Sequence, residues 1–132
     1  MEIEKLNEMA RNSFGLSLSV LFSSVEGQYP DFGFYQRKEI FFVAVEKLLK
    51  EGKIKFIAPG ADCYVSPQRP SPELSIENTK AHWNESADKI IKYLKERWPK
   101  DAADDNDDEL NMYFYEVPSV IWIDEFGNYF SS

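Results

Sequence analysis

A chain of 132 residues, 43% hydrophobic and 15% aromatic, is long enough for one ordinary core and too short for two. Its net charge of −8 and pI near 4.7 argue against nucleic acid and anionic lipid as partners, because both repel an acidic protein. Only one cysteine is present, Cys63, so no internal disulfide can form and a reducing compartment is expected.

Residues 1–12 have no basic stretch leading into an apolar one, and no apolar run approaches the ~18 residues that a membrane span needs. A cytoplasmic location follows as the expectation, with a single domain over residues 1–132. Within it residues 1–65 form a helical and hairpin unit, 66–72 a Pro-rich connector, and 73–132 a helix, an acidic loop and strands.

In chain order, Ile3, Leu6, Met9, Ala10 and Phe14 recur at helical spacing and Gly15 supplies a stop. Ser17 can cap a second helix carrying Leu18, Leu21, Phe22 and Val25, although the alternation Leu16, Leu18, Val20 also suits a strand. After a turn-rich stretch at 28–33, residues 35–51 predict a third helix. Ile40, Phe41, Ala44, Leu48 and Leu49 lie on one face, and Gly52 closes it.

Residues 53–57 alternate polar and apolar, Pro59-Gly60 turns the chain, and 63–65 return, which reads as a β-hairpin. A fourth, long helix is predicted from Ser71 or Ser75 to Trp98, with Ile76, Trp83, Ala87, Ile90, Ile91 and Leu94 on one face and Pro99 as its stop. Beyond an acidic loop, 110–117, 120–123 and 128–130 read as an antiparallel β-meander with a turn at 124–127. The fold class expected is α+β, with a winged-helix-like outline in its first half.

Charge is distributed unevenly. Residues 101–132 hold nine acids and no Lys or Arg, leaving 14 acids and 15 bases for residues 1–100. The same tail carries Tyr113, Phe114, Tyr115, Trp122, Phe126, Tyr129 and Phe130, too much apolar mass for a disordered acidic tail. A docking face for a cationic protein is one explanation, and a solvated surface that serves solubility is the other.

Signals for catalysis are weak. Cys63 and His82 could pair as nucleophile and base, but a buried thiol and a surface histidine on the fourth helix explain them as well. One Cys and one His cannot build an ordinary zinc site. Asp104, Asn106 and Asp108 start a calcium-loop pattern that fails where Glu109 replaces the required Gly and Tyr115 the bidentate Glu. The glycines stand singly, so no phosphate-cradling loop exists. No enzyme activity, cofactor, metal or small-molecule substrate is expected.

Three stretches, residues 39–55, the Arg97-Trp98-Pro99 helix end, and 107–118 running into 120–124, resemble a family of small bacterial proteins classed as a domain of unknown function. Its members resemble immunity proteins of toxin–immunity systems of the contact-dependent inhibition type. The resemblance implies a cytoplasmic inhibitor that neutralises a cognate basic toxin domain, a nuclease first of all, by presenting acids where the toxin expects phosphate.

On that reading Asp104, Asp105, Asp107, Asp108 and Glu109 steer the partner, Asp124 and Glu125 make contacts nearer the centre, and Tyr113 and Trp122 are aromatic anchors. Plain core packing is the competing account of the two aromatics. Two alternatives remain open. One is a winged-helix DNA-binding regulator using Arg37, Lys38, Lys47, Lys50, Lys53 and Lys55, and the other is a protein–protein adaptor.

Overall fold

The computed structural model describes residues 1–61, 68 and 70–131. Among the described residues there are five α-helices and a three-stranded antiparallel sheet, an α+β fold. Helix α1 (Ile3–Ser13) buries Leu6 and Met9, and α2 (Leu18–Gln28) buries Leu18, Leu21, Phe22 and Val25 at helical spacing, which resolves the helix-or-strand ambiguity there.

Helix α3 (Phe34–Lys50) is the central element, burying Phe34, Phe41, Phe42, Ala44, Val45 and Leu48. Its far end is closed by Gly52 at φ 71°. Gly52 N donates to Leu49 O at 3.1 Å and Lys53 N to Leu48 O at 3.0 Å. This paired closure satisfies carbonyls of the last turn, and the positive φ is one that glycine adopts without Cβ strain. It delivers the chain straight into strand β1 (Ile54–Phe56).

Strand β1 pairs with β2 (Val120–Ile123), which pairs with β3 (Tyr129–Phe130), giving the order β1-β2-β3. Ile54 lies opposite Trp122 and Phe56 opposite Val120, so these four side chains share the core face of the sheet. The expected return of the hairpin at 63–65, Cys63 included, lies outside the described residues.

The long fourth helix is shorter than its periodicity predicts: α4 is Ala87–Arg97. Ser86 caps it, its hydroxyl accepting from Lys89 N at 3.3 Å. The stretch ahead of it holds one 3-10 turn, Thr79–Ala81, and then runs beside β1. There Trp83 N donates to Phe56 O at 2.8 Å and Ala58 N to Ala81 O at 2.7 Å. Pairing with a sheet edge supplies those backbone groups with partners that a longer helix would have supplied internally. His82 is therefore buried in this segment, not on a helix surface, with Nε2 against Ile76 O and its ring 4.8 Å from that of Tyr129.

A second correction concerns 110–117, expected as a strand. Asp108–Glu116 is helix α5. Leu110, Tyr113, Phe114 and Val117 fall at i, i+3, i+4 and i+7 and turn inward, so the helical period prevails over the β-propensity of the aromatics. The core unites α1 to α5 with β1 and β2. At its centre the Phe22 ring meets Phe41 and Trp98 at 5.5 Å and Phe114 at 5.7 Å. Among the described residues no helix is long and apolar enough to cross a membrane.

Candidate protein-docking surface

The acidic stretch ahead of α5 begins as helix-forming chemistry. Asp107 is the N-cap, its carboxylate accepting from Glu109 N at 2.9 Å, and Asp108 and Glu109 occupy the first turn. Carboxylates there oppose the positive end of the helix dipole, each stabilising by roughly 0.3–1 kcal/mol. Asp104 Oδ1 accepts from Asn106 N at 2.9 Å and makes the turn that precedes the cap. Asp105 points inward and pairs with Arg37 at 2.8 Å.

The inner and outer faces of α5 differ sharply. Inward, Tyr113 is buried, and its hydroxyl donates to Leu94 O at 2.8 Å. That carbonyl belongs to the last turn of α4, where no intrahelical donor remains for it. Burial pushes the phenol pKa well above its ordinary 10.0. Outward, Asp108, Met112, Tyr115 and Glu116 follow one another at i, i+4, i+7 and i+8, with Glu109 beside them. Met112 is 53% and Tyr115 86% exposed.

Between this face of α5 and the neighbouring α4 runs a groove formed by three hollows with shared walls. The first, about 260 Å³, is lined by Pro99, Asp108, Glu109 and Met112. A middle one of about 320 Å³ lies over Tyr93, Arg97, Tyr113 and Glu116. The last, about 600 Å³, reaches Pro59, Tyr115 and Pro118. Arg97 is the basic residue lining it, and its guanidinium lies 3.5 Å from the Tyr93 ring centroid.

The sequence-based site residues therefore divide. Asp104, Asp108 and Glu109 are exposed and lie together at the start of α5, whereas Asp105 and Asp107 are committed to an ion pair and a cap. Tyr113 and Trp122 are core residues and cannot serve as surface anchors. Trp122 is buried and donates from Nε1 to Leu16 O at 2.8 Å.

Asp124 and Glu125 sit elsewhere. They share a cleft with Glu51 and Lys53 at the far end of α3, whereas Arg37, beside Asp105, is at its beginning. Fourteen residues of helix at 1.5 Å each put about 20 Å between the two acidic groups. Sequence reasoning missed Met112, Tyr115, Glu116 and Arg97; reading 110–117 with a helical period places the first three on one outward stripe.

Among the described residues, no group of three His, Cys, Asp or Glu side chains converges as metal ligands. A solved structure of an uncharacterized protein conserved in bacteria, from Neisseria meningitidis, is similar to this chain with a TM-score of 0.66 at 20% identity. The match covers 96% of this chain and 86% of that one. The two proteins share a fold. No family model matches the chain, and no curated protein does.

Proposed function

We propose that the chain is a non-enzymatic immunity protein that captures a basic toxin domain, a nuclease in the first instance, with the outer face of α5. The observation that carries this reading is the groove itself. Asp108, Glu109 and Glu116 lie beside exposed Met112 and Tyr115, with exposed Asp104 just ahead of the helix. Acids steer a cationic partner, and large exposed side chains beside them provide contact area once it arrives. Arg97, stacked on Tyr93, leaves the acids in the majority.

The regulator reading draws no comparable support. Helix α3 packs between α2 and α4, and three of the six bases that reading needs are engaged: Arg37 with Asp105, Lys50 with Glu46 and Lys53 with Glu51. The charged side chains that line the groove are Asp108, Glu109 and Glu116 against the single base Arg97.

Co-expression with a basic nuclease toxin domain tests the proposal. A one-to-one complex with toxin activity suppressed is the expected result. Salt-sensitive binding to duplex DNA with no effect on the toxin would overturn it.

A further inference from the structure

The three hollows between α4 and α5 differ in chemistry and follow a fixed order. Asp108 and Glu109 line the first, Arg97 and Glu116 face the middle one over Tyr113, and Tyr93, Tyr115 and Pro59 line the last. The groove therefore passes from carboxylates at one end to aromatic rings at the other. Its α5 wall, nine residues at 1.5 Å each, is about 13 Å long. Five residues of extended chain, rising about 3.3 Å each, cover the same length and turn the first, third and fifth side chains to one side.

The middle hollow distinguishes an extended occupant from a helical one. Arg97 and Glu116 both line it yet form no ion pair, and among the described residues the carboxylates of Asp108, Glu109 and Glu116 have no basic partner. Arg97 is engaged only in part: Nη1 donates to Tyr93 O at 3.4 Å, and the guanidinium lies 3.5 Å from the Tyr93 ring centroid. Its remaining N–H donors on one wall and a free carboxylate on the other match the carbonyls and amides that an extended segment leaves unpaired. A guest helix satisfies those groups internally and would cover both charges without pairing them, which is costly.

We propose that the groove binds one extended segment of a partner protein, with Lys or Arg in the acidic hollow and a large apolar side chain against Tyr93 and Tyr115 four residues away. The backbone between them passes between Arg97 and Glu116. This occupant presupposes that α5 is the docking surface and specifies the form of what docks there. Three carboxylates against one base select the basic end, and the exposed Tyr115 ring selects the apolar one.

NMR titration of the full chain with a synthetic nine-residue peptide tests this. The peptide has lysine third, alanine fifth, leucine seventh and serine elsewhere, and is too short to be helical in water. Resonances of Met112, Tyr115 and Arg97 should shift and saturate by about 1 mM peptide. Exchanging the lysine for glutamate should abolish the shifts. Moving the leucine to the sixth position turns it to the opposite side and should weaken binding by about tenfold. Methylating the amide nitrogens of the fifth and sixth residues, which point to opposite walls, should do the same. Unmoved resonances at about 5 mM peptide, or binding indifferent to the leucine's position or to the methyl groups, overturns the proposal. Capture of a basic nuclease toxin domain through α5 alongside a silent peptide overturns the segment and leaves the docking surface standing; failure of both removes both.

Discussion

Arg37 Nη1 donates to both carboxylate oxygens of Asp105, at 2.9 and 2.8 Å, across 68 residues of sequence. The arginine side chain is only 11% exposed and lies 5.8 Å from the ring centroids of Phe22 and Phe34. One acid of the tail thus fastens the acidic stretch to the start of α3. The same residue type a position earlier, Asp104, faces solvent.

That contrast sets the first expectation. Asp105→Ala leaves a largely buried guanidinium without its carboxylate and should cost about 2 kcal/mol, between the values for exposed and fully buried pairs. Asp104→Asn, which keeps the oxygen that accepts from Asn106 N, should fall within about 0.5 kcal/mol of wild type, as surface changes do. Urea denaturation midpoints of the two variants measure the difference.

Tyr113→Phe should cost about 1 kcal/mol by removing the donor from Leu94 O, with binding through the outer face of α5 unchanged. Alkaline pH provides a second readout. The folded-state pKa of Tyr113 is raised by burial, so the folded protein holds a proton that the unfolded chain releases above pH 10.0. Stability should be level below that pH and fall as pH rises toward the folded value. Thermal melts at high pH should show a shallower decline in Tyr113→Phe than in wild type.

Acid affects the other end of the molecule. Backbone hydrogen bonds from Asn128 hold the Asp124 pKa below its ordinary 3.8, with the Asn128 side chain and the Phe126 and Gly127 amides adding to the effect. Its contribution is present above the unfolded value and lost as pH falls through the folded one. Amide exchange at Phe126 and Asn128, followed by NMR, should accelerate in that acid range while core amides stay protected. In Asp124→Ala it should be fast at every pH.

Helices α1 and α3 were legible because each pairs a clean apolar stripe with a glycine stop, α2 less so because its apolar residues also alternate and it runs through Gly27 to Gln28, and the β2–β3 turn because Asp124 to Asn128 is rich in turn formers. What the sequence obscured had competing physics. Tyr113, Phe114 and Tyr115 carry strand propensity, yet Asp107 to Glu109 form a helix start and Leu110, Tyr113 and Val117 a helical stripe. Ile76 and Trp83 fit the period of α4 but belong to a segment whose backbone pairs near β1, a long-range choice no local pattern reveals.

The candidate site was half legible for the same reason. Charge sign and the cluster at Asp104, Asp108 and Glu109 can be read directly, but burial decides that Tyr113 and Trp122 face inward and Tyr115 outward. It also changes which variants are informative. Neutralising Asp105 or Asp107 perturbs an ion pair or a helix cap, so only the exposed acids report on docking.

The most direct test of the acidic docking face is the association rate with a basic nuclease toxin domain, measured at low and high salt. The variant combines Asp104→Asn, Asp108→Asn, Glu109→Gln and Glu116→Gln. Its on-rate at low salt should drop by about tenfold and its salt dependence should flatten, while the fold survives a loss of about 1 kcal/mol from the start of α5. Tight binding with an unchanged on-rate and an unchanged salt slope would contradict the account.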